Sequence, residues 1–155
     1  MEPCNHTSVG ILVRNGNKIL FIERKKFPFG FALPAGHVDD GEKFYDAAKR
    51  ELEEEVGLKA KSQILIGKAR KNNPCRRIVG DNYHDWEIYE IEVTGDLKRS
   101  ESETKRAVWL DIDKIKELTE RTKKYMVGNV PEDEWQKSPG LEPAWLEWLY
   151  GLKII

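Results

Sequence analysis

A chain of 155 residues is long enough to bury a real core as one domain. Its 39% hydrophobic and 34% charged residues describe a globular protein rather than a fibrous or disordered one, and a formal net charge of −1 gives no global attraction for nucleic acid or an acidic membrane. No apolar run reaches membrane-spanning length and the N-terminal MEPCNHTSVG lacks a charged-then-apolar leader, so a cytoplasmic location without a membrane partner is expected.

Near the N-terminus, Cys4 and the distant Cys75 make no disulfide framework, and Cys4, His6, Cys75 and His84 fit no familiar zinc spacing. Thr7 to Arg14 and Lys18 to Arg24 are rich in Val, Ile, Leu and Phe, with the turn residues Asn15, Gly16 and Asn17 between them, which predicts a β-hairpin. KKFPFGFALPAG carries Pro28, Gly30, Pro34 and Gly36 and reads as a loop ending in a short extended segment. From Phe44 the apolar residues recur at helical spacing to about Val56, and Gly57 is a stop, because glycine reaches the left-handed conformation without a Cβ clash. At ~100° per residue, Tyr45, Ala48, Leu52 and Val56 share one arc, the expected core face, and Asp46, Lys49, Arg50 and Glu53 lie opposite. Glu51, Glu54 and Glu55 stand at i, i+3 and i+4 and gather along one edge of the apolar arc. Arg50 can answer Glu54 and Lys59 can answer Glu55, whereas Glu51 finds no cation at its i−4 and i+4 neighbours. Such a stripe is either a solvated acidic face or a site for a hard divalent cation, Mg²⁺ in particular being held by a few carboxylates plus substrate phosphates.

Spacing favours the second alternative. The stretch GHVDDGEKFYDAAKRELEEEVGL resembles the signature of the Nudix hydrolase family, G-x5-E-x7-R-E-U-x-E-E-x-G-U with U a bulky aliphatic residue. Gly36, Glu42, Arg50, Glu51, Leu52, Glu54, Glu55, Gly57 and Leu58 fill all nine fixed positions. The resemblance implies hydrolysis of a nucleoside diphosphate linked to another moiety, by water attacking a phosphorus of the pyrophosphate with Mg²⁺ or Mn²⁺ present. It implies Glu51, Glu54 and Glu55 as metal ligands, helped by the backbone carbonyl of Ala35. Arg50 would act by orienting a glutamate through charge-assisted hydrogen bonds, while Glu42, Gly36 and Gly57 support the loop and helix. Two departures precede the box: Phe31 stands where the family usually has tryptophan, and Ala35 replaces the first glycine of a pair, which narrows the backbone geometry open to its carbonyl. Phe31 is expected in the core; Phe27 and Phe29 either join it there or one of them stacks on a base, with Phe29 the candidate substrate contact.

Ser62 to Arg70 predicts a strand, followed by a long polar connection and a second strand from about Trp86 to Thr94. A connection of that length inside a domain is commonly functional or disordered, either a solvated loop with ordinary surface charge or a lid over the substrate. With Lys68, Arg70, Lys71, Arg76 and Arg77 it forms a local basic cluster, from which Arg70, Arg76 and Arg77 are the candidates to grip substrate phosphates through the bidentate guanidinium fork. Pro74 lies about where family members that cleave ADP-ribose carry a proline. Gly95 to Thr104 is turn-forming, and Ala107 to Leu110 is a short strand leading into the helix DIDKIKELTERTKK. The resemblance places a further catalytic glutamate some residues before a tryptophan such as Trp109, which points to Glu103 ahead of Glu101, although Arg106 stands where a second glutamate is common. The general base would be Glu103 or Glu54. Beyond Tyr125, Val130 to Pro139 is expected to be irregular and EPAWLEWLYGL to form a short apolar helix, docked on the sheet or serving as an aromatic lid or dimer surface.

The expected architecture is one α/β domain over residues 1–155: a Nudix-like α/β/α sandwich with a mixed β-sheet, the glutamate helix on one side, the second helix on the other, and a C-terminal helical extension over 125–155. The expected partner is a small-molecule nucleotide, and the chain would act as a monomer or homodimer. Two alternatives stand beside the hydrolase. A non-catalytic nucleotide-binding regulator on the same fold would bind without turnover. An RNA-binding or cap-processing protein using the basic loop 68–77 would show steeply salt-dependent binding, although the net charge makes nucleic acid the lesser expectation.

Overall fold

In the computed structural model, which describes residues 4–72 and 83–155, the two N-terminal extended stretches belong to different sheets. The expected hairpin exists only at its tip, where Arg14–Asn15 (β2) pairs antiparallel with Lys18–Arg24 (β3) around Gly16 at φ +60°. Thr7–Leu12 (β1) instead lies between Ala35–His37 (β5), antiparallel, and His84–Thr94 (β7), parallel. The cause is in its side chains: Ser8 to Leu12 are all buried, and a strand covered on both faces belongs in the middle of a sheet rather than at a hairpin edge.

The first sheet has the order β5-β1-β7-β6, with Lys59–Lys71 (β6) antiparallel to β7, and is the expected mixed sheet. A second, wholly antiparallel sheet joins β2, β3, Phe31–Ala32 (β4) and Thr104–Leu110 (β8). β6 begins before Ser62, and β8 begins at the end of the stretch expected to turn, because each runs as far as its partner strand offers a ladder.

Phe44–Val56 (α1) ends where expected, with Gly57 at φ +73° and its N–H donating to Glu53 O at 2.9 Å. Its buried face is Ala47, Ala48, Leu52 and Val56. Tyr45, expected there, is 42% exposed and meets the Tyr89 ring edge-on at 5.8 Å; the small Ala47 takes the inward position and leaves the phenol at the rim.

Successive residues of β7 point to opposite faces, so if Tyr89 faces α1, Ile88 faces away. That far side is covered by Pro143–Gly151 (α4), whose indoles need room in the strands. A Cβ on Gly10 would stand 2.4 Å from Trp145 Cη2, and one on Gly67 3.0 Å from Trp148 Cζ3. The C-terminal helix thus docks on the sheet, and Ile112–Met126 (α2), expected to cover this face, lies alongside α4. Asp111 caps α2 by accepting from Lys114 N at 2.9 Å. Within the stretch expected to be irregular, Glu132–Lys137 forms a short helix (α3), anchored by Trp135, which is buried and stacked on Tyr125 at 3.8 Å. Helices on both faces complete an α/β/α arrangement. Among the described residues no helix is long and apolar enough to cross a membrane.

Candidate active site

Arg50 organises the glutamates. Its Nε and Nη2 donate to the two carboxylate oxygens of Glu42, both at 2.9 Å, and its Nη1 donates to Glu51 at 2.8 Å and Glu54 at 3.1 Å. Nη2 also donates to the His37 carbonyl at 2.9 Å, which ties α1 to β5. The expectation that Glu51 lacks a cation fails for a geometric reason: a long guanidinium reaches its sequence neighbour, a contact that i, i+4 counting leaves out. Glu42 in turn accepts from the Asp39 N–H at 3.0 Å, so loop and helix share one network.

Two carboxylates on this edge are pressed against backbone. A Cβ on Gly36 would fall 2.0 Å from the Glu51 carboxyl carbon, so any larger residue there would push that carboxylate from its place. Burial pushes the Glu51 carboxyl up to about 7, against the pull of Arg50. Burial, with the neighbouring Glu51 charge, pushes Glu55 up to about 8; Glu55 accepts from the Ala35 N–H at 3.3 Å. Ala35 is not among the residues with positive φ, so the alanine that replaces glycine strains nothing.

The loop carrying Glu103 is fastened to the end of α1. Lys98 N–H donates to Val56 O at 2.8 Å and Ser100 N–H to Glu55 O at 2.7 Å, filling carbonyls that the helix leaves open. Lys25 N–H donates to Glu103 O at 3.1 Å, and Lys26 Nζ lies 3.3 Å from the Glu103 carboxylate. Glu103 therefore lines the same cleft of about 440 Å³ as Ala35, Gly36, Arg50, Glu51, Glu54 and Glu55, whereas Glu101 does not.

The rest of the lining comes from distant parts of the chain, among them Arg24, Trp86, Glu142 and Trp145. Glu142 arrives because residues 140–142 run beside β4 as one parallel rung, Phe31 N–H donating to Gly140 O at 2.8 Å and Glu142 N–H to Phe31 O at 2.9 Å. Gly30, at φ +137°, permits this, since a Cβ there would lie 2.4 Å from Glu142 N. The Glu142 carboxylate is 4% exposed and 4.0 Å from Arg24 Nε; burial pushes it up to about 7, with Arg24 acting in the other direction. Trp86 and Trp145 meet edge-on at 5.3 Å. Ser8, His37 and His84 close the end of the cleft. His84 is buried, which drives its ring down to about 4, the nearby His6 adding to the effect, so it is neutral at physiological pH.

The sequence did not single out Arg24, Trp86, Glu142 or His37 as site residues, and named His84 only beside Cys4, His6 and Cys75. A carboxylate directly before Pro143 and an apolar helix was the one signal for Glu142. Other expected residues lie elsewhere. Arg70 is gripped by both Asp85 oxygens at 2.8 and 3.1 Å, sits over the Tyr83 ring, and does not line the cleft. Phe29 lines a separate hollow of about 240 Å³ with Phe27 and Trp135, while Phe31 is in the core as expected. Arg76, Arg77, Pro74 and Cys75 lie outside the described residues.

The model of the NUDIX domain matches residues 5–128, and the chain belongs to that family as one of its pyrophosphohydrolases. Nudix hydrolases generally use divalent metals. An ADP-ribose pyrophosphatase of Methanocaldococcus jannaschii is 30% identical over 119 residues, 73% of this chain and 67% of that protein. An RNA pyrophosphohydrolase of Novosphingobium aromaticivorans is 34% identical over 75 residues, 46% of this chain and 44% of its own length. Among solved structures, a MutT protein from Methanosarcina mazei Go1 superposes with a TM-score of 0.67 at 18% identity, covering 99% of this chain and 96% of that one, and so shares the fold through the C-terminal helices.

Proposed function

We propose that the protein hydrolyses the pyrophosphate linkage of a nucleoside diphosphate derivative, with Mg²⁺ or Mn²⁺ held by Glu51, Glu54, Glu55 and the Ala35 carbonyl. The observation that carries this reading is a cluster of three carboxylates facing one cleft, two of them pushed toward neutrality by burial, with a single arginine already shared among Glu42, Glu51 and Glu54. Oxygen-only donors of this kind suit a hard divalent cation. Bound there, such an ion neutralises the diphosphate and makes water more acidic.

Arg50 acts through others: its fork on Glu42 and its bonds to Glu51 and Glu54 hold those carboxylates in place for the ion. Glu54 and Glu103, both lining the cleft and both partly open to solvent, are the two groups able to take the proton of the attacking water. Arg24 takes the part foreseen for Arg70, as the cation facing the substrate's phosphates. Trp86, Trp145 and Glu142 form the wall against which the organic part of the substrate rests.

The test is product formation from ADP-ribose, nucleoside triphosphates, dinucleoside polyphosphates and nucleotide sugars with Mg²⁺, Mn²⁺ or chelator, beside Glu54→Gln. The name of the methanococcal relative puts ADP-ribose first in the panel. Metal-dependent turnover lost in the variant supports the proposal; binding without turnover across the panel overturns it in favour of a regulator.

A further inference from the structure

Three potential ligands of a different kind meet at the end of the cleft. Cys4 precedes β1, His37 ends β5 and His84 begins β7, and one atom from each lies within 4.8 Å of the other two. Cys4 Sγ and His84 Nε2 are 3.4 Å apart. With bonds of about 2.3 Å to sulfur and about 2.0–2.1 Å to nitrogen, two ligands of a tetrahedral zinc ion stand about 3.5 Å apart. One edge of such a tetrahedron is therefore already present.

The surroundings point the same way. His84 is 2% exposed, and its Nδ1 is buried with no hydrogen-bond partner among the described residues, while its Nε2 lies beside the Cys4 sulfur. An imidazole buried on such terms is poorly compensated by hydrogen bonding; a cation on Nε2, the nitrogen beside the sulfur, would give the ring a strong interaction and keep its proton on Nδ1. The His6 N–H donates to Cys4 Sγ at 3.3 Å, as suits a thiolate. That bond is made possible by His6 itself, which adopts φ +62°, uncommon for a residue with a Cβ. The His6 ring is turned away onto Tyr83, stacked at 4.0 Å with Nδ1 at 2.9 Å from Tyr83 O. Of the four residues whose spacing fits no zinc pattern, the fold joins Cys4 to His84, and replaces His6 by His37.

We propose that Cys4, His37 and His84 form a second cation site, with one sulfur and two nitrogen ligands, that takes zinc. A thiolate and imidazoles suit a borderline-soft ion, whereas the glutamate edge suits a hard one, so the two sites sort their metals by donor chemistry. The ion fastens the N-terminal segment to β5 and β7. His37 and His84 both also line the cleft, so the ion would stand beside it. The proposal stands independently of which anhydride the glutamate site cleaves.

The test uses the full chain without a histidine tag, dialysed against zinc in excess Mg²⁺, desalted, and measured for bound zinc by mass spectrometry. Wild type and Glu54→Gln/Glu55→Gln are expected to retain one zinc per chain, and Cys4→Ser, His37→Asn and His84→Gln to lose it, with folding checked by circular dichroism. Cobalt in place of zinc is expected to give a thiolate charge-transfer absorption in wild type that vanishes in Cys4→Ser. Zinc washed out of wild type, zinc kept by Cys4→Ser or His37→Asn, or zinc lost in the double glutamate variant would each overturn the site. The cobalt spectrum of wild type alone keeps the proposal open to refutation if a variant fails to fold.

Discussion

The two walls of the cleft are built in opposite ways. The glutamate wall comes from one continuous stretch, Gly36 to Leu58, in which a single helix sets the spacing of the carboxylates and Arg50 locks them. The other wall, of Arg24, Trp86, Glu142 and Trp145, is gathered from β3, β7 and the C-terminal segment, and depends on Gly10 and Gly30 to let distant pieces approach. A local wall tolerates change elsewhere in the chain; a gathered wall is only as secure as its packing.

The largest effect expected from breaking this contrast is at the local wall. Glu55→Gln should lower kcat roughly 10³-fold, since metal-assisted charge stabilisation contributes several kcal/mol, while leaving the circular dichroism spectrum unchanged. Rates measured at saturating Mn²⁺ check this. Glu103→Gln should cost about 100-fold, the low end of the usual range for general acid–base groups, and less if Glu54 is the base. Glu101→Gln, outside the cleft, should stay within about twofold of wild type, as surface substitutions do. Equal losses from the two would remove Glu103 from the site.

At the gathered wall the readout is stability. Gly10→Ala puts a methyl into the Trp145 ring and should destabilise by about 1–3 kcal/mol, seen as a lower urea midpoint with kcat/KM falling alongside. A substitution that lowers neither would show that α4 is not held by this contact.

Acidity separates the walls further. Glu51 and Glu55 bind protons more tightly folded than unfolded, near 7 and 8 against 4.5. The stability they confer is complete below pH 4.5 and lost as pH rises through 7 and 8. Metal-free protein should therefore lose on the order of a few kcal/mol between pH 5 and 8.5, and Mg²⁺ should restore much of it at the alkaline end. Urea melts with chelator and with Mg²⁺ measure both slopes; parallel slopes would exclude these carboxylates as the metal site. Glu142, near 7 by burial, follows the same sign. Replacing it by the neutral isostere in Glu142→Gln should raise stability by roughly 1–2 kcal/mol at pH 8, and change little at pH 5, where the native side chain is already protonated.

Residues close in sequence were legible from sequence alone. The helix from Phe44 to Val56, its Gly57 stop and the strip of glutamates follow from periodicity and from backbone rules that act within one or two turns. The family's pattern occupies that same short range. Tertiary structure decided everything that needed two segments to meet. It set β1 inside the mixed sheet instead of against β3, gave Glu51 its arginine, and left Tyr45 at the rim. It turned Arg70 toward Asp85 and away from the cleft, and brought Glu142, Trp145 and the Cys4–His37–His84 group to its edge. Local geometry is set by bonds and hydrogen bonds a few residues apart, which a sequence displays. Burial, by contrast, is a property of the whole folded surface, and it chooses which distant side chains share a space only once the chain has closed on itself.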